Sequence, residues 1–313
     1  MHPRKTVLYG ALLVHTLFSA GTYLFGKRAL TEIPALPLGT LRFLGASTLL
    51  LLLLLRLLPP GSRLPPKQAR RKVLLLSFVG VPVNQGFFLF GLQLSTAAHA
   101  ALLYTLTPLF VLLLAQALIG ELPGRRTVAG TAIALAGALW VLFHRGLDLS
   151  RGPLLGDLLL LVAVLAWAVY TAEGRELVSA YGALPTIAWT LIGGTLMFLP
   201  LGLGSLLFAR NREQIASASR EAWLGLAYLI VVTSVIAYLL WYWALGHLAA
   251  ARVAIFTNLQ PLATAGLAHV FLKEQVTLAF LAGAVVVVAG VVIAQWKGPD
   301  EAEALLEESP AKS

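Results

Sequence analysis

The chain has 313 residues, of which 58% are hydrophobic and 12% charged, with a mean hydropathy of +0.84. A soluble domain carries about 25% charged residues, so polar surface is too scarce here to clothe a water-soluble globule, and the composition places the chain in a bilayer. The net charge of +9 is not a nucleic-acid footprint, because the basic residues gather at the ends of apolar runs. The lack of cysteine excludes disulfides, thiolate-bound zinc and thiol catalysis.

A helix needs about 20 mostly apolar residues to cross a membrane. Ten runs meet this need: 7–26, 38–58, 73–94, 97–120, 127–144, 156–172, 184–208, 222–245, 250–272 and 277–296. None alternates with period two, so strands are excluded and the fold class is all-α integral membrane. The first run follows basic residues, as in a leader peptide. It continues to Gly26 with further apolar runs behind it, and therefore reads as a retained helix. It carries His15, Thr16, Ser19 and Tyr23. His15 can titrate near neutrality or rest as a neutral, hydrogen-bonded ring. Run two holds Arg42 close enough to one end for its long side chain to reach the interface, the alternative being an anchor for an anionic group.

Run three carries Asn84 and Gln85 mid-way. Run four contains "YTLTPLF", with Pro108 beside Tyr104, Thr105 and Thr107; run nine contains "FTNLQPLA", with Pro261 beside Thr257, Asn258 and Gln260. A proline inside a helix removes one backbone hydrogen bond, and the freed carbonyl must face protein, water or a ligand. Both prolines are therefore expected as helix kinks lined by polar side chains, with a plain structural kink as the alternative. Run six brings Tyr170. Run eight brings Thr233, Ser234, Tyr238, Trp241 and Tyr242, aromatic groups with polar tips that suit an organic solute. For Trp241 and Tyr242 an anchoring place in the interfacial belt is the competing reading. Gly130 and Gly137, with Gly283 and Gly290, lie on single helix faces and point to close helix packing. Glu121 and Glu274 end runs four and nine as helix-end ion pairs or as solvated charges.

Charge sets the orientation. With the N-terminus inside, the cytoplasmic segments hold fourteen Lys and Arg residues and the outer segments eight, so both termini are expected in the cytoplasm. Segments 56–72 and 209–221 and the acidic tail 297–313 are the aqueous parts.

Sliding 91–141 by 153 residues onto 244–294 needs no gap and superposes Pro108 on Pro261, Glu121 on Glu274 and Gly130 and Gly137 on Gly283 and Gly290. A weaker match joins Tyr23 to Tyr170. The chain is thus expected to hold two five-helix repeats, 6–144 and 156–296. Five is odd, so the second repeat is inverted relative to the first, giving ten transmembrane helices in all. Inverted repeats characterise secondary transporters, with the site near mid-membrane between the halves.

The segments around both prolines, Arg42 in "LPLGTLRFLGAS" and "LAWAVYTAEGREL" resemble EamA-type proteins of the drug/metabolite transporter superfamily, over nearly the whole chain. The chain departs from that pattern at Ala20-Gly21 and at Thr190, which stands where run two has Arg42. The resemblance implies a ten-helix bundle in a bacterial-type inner membrane that moves small organic solutes. The expected function is alternating-access transport of small organic metabolites, amino-acid-like or related, in the export direction. The candidate substrate site is His15, Tyr23, Asn84, Gln85, Tyr104, Thr105, Tyr170, Tyr238, Trp241, Thr257, Asn258 and Gln260. No cofactor, metal or nucleic acid is expected; the partners are a small-molecule substrate and membrane lipid. No carboxylate falls mid-helix to relay protons, and no phosphate-binding loop or hydrolase motif is present. Two other classes stay open: a multi-pass membrane enzyme with His15 and Tyr104 as its acid/base groups, which purified protein would reveal by product formation, and a channel, which would show single-channel conductance.

Overall fold

A computed structural model describes residues 5–95, 97–119, 124–144, 154–272 and 278–295. The described residues are helical, without strands. Six stretches are long and apolar enough to cross a membrane: Thr6–Leu30, Ala35–Leu57, Pro60–Leu94, Leu154–Tyr181, Ala183–Ser205 and Arg220–Leu245. In chain order the elements are α1 (Lys5–Leu30), α2 (Ala35–Leu57), α3 (Arg70–Phe78), α4 (Gly86–Leu94), α5 (Ala97–Tyr104), α6 (Thr107–Ile119), α7 (Arg125–His144) and α8 (Leu154–Tyr181). They continue as α9 (Ala183–Ser205), α10 (Ala209–Ala216), α11 (Arg220–Tyr228), α12 (Tyr238–Leu245), α13 (Ala250–Ala254), α14 (Gln260–Leu272) and α15 (Leu278–Gln295). Gly182, at a left-handed φ of 84°, turns the chain between α8 and α9.

Polarity runs opposite to that of a soluble protein. Leu13, Leu17, Leu44, Leu51 and Leu55 are exposed, while Thr16, Arg42, Ser47, Asn84 and Asn258 are buried. Apolar faces of this kind suit a bilayer, where polar side chains turn into the bundle. The helix pairs with the most extensive packing, α7 with α15 and α2 with α9, each join the first half of the chain to the second. So do α4 and α6 on α8, and α1 on α11, α12 and α14.

Three features differ from the periodic reading. Helix α8 runs nine residues beyond Ala172, because its polar end carrying Glu173 and Glu176 stays helical outside the apolar slab. The segment read as a loop at 209–221 contains α10. Both α3–α4 and α11–α12 are joined through π-helical turns, Val79–Gln85 and Leu229–Ala237, at corresponding places in the two halves. Pro82 lies in the first of these turns; the second has no proline. Such turns insert an extra residue per turn and are frequent at functional sites.

Two polar latches lie before and after α2. The Glu32 carboxylate pairs with Arg28 at 2.7 Å and accepts the Ser219 N–H at 2.6 Å and the Ser219 hydroxyl at 2.8 Å. Lys72 pairs with Glu173 at 2.7 Å and with Glu176. Each latch joins segments that are distant in sequence. Glu121, Glu274 and the tail 297–313 lie outside the described residues.

Ser219's N–H and hydroxyl, and then Arg28, hold the Glu32 carboxyl below the usual carboxylate range. A carboxyl depressed in the folded state stabilises it above the ordinary glutamate value of about 4.3, and that contribution is lost as pH falls through the folded-state value. Glu32→Gln is therefore expected to melt below the wild type at pH 7, with the gap closing below about pH 4. An unchanging gap across that range would show that the latch does not hold these two segments together.

Candidate functional site

Between the halves lies a cavity of about 60 Å³. Helix α1 contributes His15, Ser19, Thr22 and Tyr23, and α2 contributes Arg42. Gln85 and Phe88 come from the α3–α4 turn region, Tyr104 from the end of α5 and Trp167 from α8. Thr233 and Tyr238 face in from α11–α12, and Gln260 from the start of α14. At roughly 10–15 Å³ per water the space holds about four to six waters. Typical ligand sites measure roughly 300–1,000 Å³, several times this space.

Tyr23 donates to Gln260 Oε1 at 2.8 Å, and the Thr22 and Thr233 hydroxyls meet at 2.9 Å. Both contacts tie α1 to the second half. His15 Nδ1 lies 2.9 Å from the Ala237 carbonyl, and Nε2 lies 3.2 Å from Ser19 Oγ. This pair of partners suits a neutral ring that donates from Nδ1 and accepts at Nε2. Trp241 packs over the His15 ring at 4.7 Å and against Trp167 at 5.8 Å. Tyr23, Phe88 and Tyr104 stand edge to face with centroids 5.6–6.2 Å apart. Such pairs hold ring positions beyond what area burial alone provides.

Of the expected site residues, the cavity brings together His15, Tyr23, Gln85, Tyr104, Tyr238 and Gln260. Asn84 stands one layer behind. Its Nδ2 donates to the Ala163 carbonyl at 2.7 Å and to the Tyr104 hydroxyl at 3.3 Å, and its Oδ1 accepts from Gln85. Tyr170 is bound to Thr190 at 2.7 Å, away from the cavity wall, and its carbonyl accepts from Tyr242 at 3.0 Å. Thr257 turns back onto the Ala254 carbonyl at 2.8 Å. Thr105 is buried where α5 stops, and Asn258 is buried with neither amide atom bonded to protein.

The kinks expected at the prolines take the form of breaks just before them. The chain leaves α-helical geometry before each of them. It does so at Thr105–Leu106 in the first half and over the tighter 3-10 turn Ile255–Leu259 in the second. Pro108 and Pro261 each become the second residue of a new helix, α6 and α14. There a missing N–H removes no intrahelical bond.

Three readings are corrected. Arg42 does not extend to the interface: it is fully buried and faces the cavity, with Nε 2.8 Å from Ser234 Oγ. Trp241 and Tyr242 are not belt anchors, since both have no exposed surface. Thr22, Phe88 and Trp167 line the cavity without having been singled out. Phe88 carried a usable signal, because the 153-residue shift superposes it on Trp241.

The EamA-like transporter family matches the chain twice, over residues 6–143 and 154–295. An uncharacterized transporter of Archaeoglobus fulgidus is 30% identical over 291 residues, covering 92% of this chain and 96% of the relative. The uncharacterized transporter YetK of Bacillus subtilis is 28% identical over 296 residues, covering 93% of this chain and 88% of the relative. A solved crystal structure aligns with a TM-score of 0.72 at 19% identity, covering 93% of this chain and 96% of its own, and so shares the fold. With two family matches that together span nearly its whole length, this multi-pass membrane protein belongs to the EamA-like transporter family.

Proposed function

We propose that the protein is a secondary transporter that moves small organic metabolites out of the cell by alternating access, as ten transmembrane helices in two inverted five-helix repeats. The observation that carries this reading is the cavity, whose wall is drawn from α1, α2, α4 and α5 of one half and from α8, α12 and α14 of the other. A site shared in this way changes shape when the halves rock against each other. The latches at Glu32–Ser219 and Lys72–Glu173 are suited to close opposite ends, one releasing while the other holds.

Three contacts support the inverted arrangement. Gly130 packs on Gly290 and Gly137 on Gly283, which is the pairing a two-fold exchange of the equivalent positions would leave unchanged. Ser47 and Thr195, which share the 148-residue spacing of Arg42 and Thr190, bond to each other at 2.7 Å. The domain reading follows: repeats at 6–144 and 156–296, and a tail at 297–313. The inner membrane is what the resemblance to bacterial transporters implies, and the Lys and Arg distribution supports both termini in the cytoplasm.

Flux in proteoliposomes tests the function. A metabolite panel is screened for thermal stabilisation of the purified protein, and the hits are loaded into vesicles. Saturable, gradient-driven movement with counterflow is the expected result. Flux without saturation would indicate a channel, and chemical conversion of a hit an enzyme. In intact cells a cysteine at the exposed position Ser217 should react with an impermeant reagent and one at Ser62 should not. The reverse pattern would overturn the orientation.

A further inference from the structure

Arg42 is the eighth residue of the membrane-spanning helix α2, with none of its surface exposed. A guanidinium is charged at every relevant pH, and taking it out of water costs several kcal/mol unless an opposite charge and full hydrogen bonding compensate. The protein compensates only in part. Nε donates to Ser234 Oγ at 2.8 Å, and the Phe43 ring lies 5.2 Å from the guanidinium carbon. Nη1 has no protein partner. Among the described residues no carboxylate comes within ion-pair distance, since the ion pairs are those of Arg28, Glu32, Lys72, Glu173 and Glu176. The other cavity-lining side chains are hydroxyls, amides, a histidine and aromatic rings. The site thus carries one fixed positive charge with an unused donor, and no fixed negative charge.

From this we infer that Arg42 is the binding group for a monoanionic carboxylate on the substrate, held beside an apolar or aromatic body packed among Tyr23, Phe88, Tyr104, Trp167 and Tyr238. A buried lone cation is most stable when its counter-charge arrives with the ligand, and the planar fork of arginine matches a carboxylate. A phosphate fits less well: it brings close to two negative charges to a wall with a single arginine and no lysine. Gln85 Oε1, which also lacks a protein partner and lines the same cavity, offers an acceptor for an N–H or O–H group elsewhere on the ligand. The second half has Thr190 at the position equivalent to Arg42, and Tyr170 occupies it. The charge is therefore single and one-sided, which fixes the ligand's direction in a site otherwise built from both halves.

This inference rests on the transporter reading, and its test separates the two. Binding to purified full-length protein is followed by quenching of tryptophan fluorescence, Trp167 being in the wall. The probes are 3-phenylpropionate, its amide, 3-phenylpropylamine and phenyl phosphate. The expected result is at least tenfold tighter binding of the acid than of the other three. Arg42→Gln should abolish the preference, and Arg42→Lys should retain part of it. Affinity for the uncharged amide should be within a few-fold of wild type in Arg42→Gln, which guards against a folding defect in that variant. Equal binding of acid and amide, preference for the amine or the phosphate, no binding of any probe by wild type, or an acid preference that survives in Arg42→Gln would each overturn the inference. Absence of flux for a probe that binds would instead sink the transporter reading and leave the carboxylate site standing.

Discussion

Gly290→Val should leave little folded protein after extraction, whereas Gly10→Ala should melt with the wild type. A Cβ at Gly290 would lie 2.7 Å from the Gly130 carbonyl oxygen and 2.8 Å from the Ala134 Cα, and at Gly10 it would meet nothing within 4 Å. The same closeness recurs at Gly130, where a Cβ would lie 2.5 Å from the Gly290 oxygen, and at Gly137, 2.7 Å from the Val287 nitrogen. These obstacles are backbone atoms, which cannot swing aside as a side-chain tip can. α7 and α15 must then separate along the whole contact. Ordinary overpacking costs about 1–3 kcal/mol, and a forced parting of two backbones belongs with the changes exceeding about 4 kcal/mol. Size-exclusion profile and melting temperature measure the effect. A monodisperse Gly290→Val protein with wild-type melting would mean that the two helices do not meet there.

The second large effect is expected at Asn84. Replacing it with leucine leaves the Ala163 carbonyl without its 2.7 Å donor and the Tyr104 hydroxyl without its 3.3 Å one, in a place that water does not reach freely. Each unmet buried partner costs about 1–3 kcal/mol. Tyr104 would lose the bond that helps aim it into the cavity, and Gln85 would lose an acceptor. Transport efficiency should fall on the order of thirtyfold, the equivalent of about 2 kcal/mol, with a lower melting temperature. Asn258→Leu provides the contrast. Its amide has no protein partner, so the substitution should leave stability unchanged or raise it. If Asn84→Leu transports and melts like wild type, Asn84 does not organise the wall.

Much of this architecture was legible because in a membrane the polar residues are few and their placement is constrained. Tyr23, Tyr104 and Gln260 stood out as polar groups inside apolar runs, and the structure puts all three on one cavity. Asn84 stood out for the same reason but serves from behind, since hydropathy does not distinguish a group that faces the cavity from one that braces its neighbour. Arg42 was misjudged by its distance along the helix. Reach along the axis allows snorkelling, but the side of the helix on which a residue lies decides, and that side faces Ser234. Trp241 was ambiguous because a tryptophan near a helix end fits a lipid interface and a core equally well. The π-helical turns left no signature: Pro82 hints at the first, and the second, Leu229–Ala237, is made of ordinary apolar residues with Thr233 and Ser234. Each broadened turn packs on two helices, Val79–Gln85 on α8 and α9 and Leu229–Ala237 on α1 and α2.

The bond between Ser47 and Thr195 bears on how a duplicated chain can begin. If one half-length unit pairs with an upside-down copy of itself, a residue on the axis must face its own twin. A lysine or a glutamate there would repel itself, and a tryptophan would collide with itself. A hydroxyl is the smallest group that can both donate and accept, so it satisfies its own copy without any second mutation. Serine on one side and threonine on the other, hydrogen-bonded across 148 residues of sequence, still obey that rule of self-matching. On the proposed inverted arrangement the two halves are interchangeable in chemistry at this point, while elsewhere, as at Arg42 and Thr190, they differ.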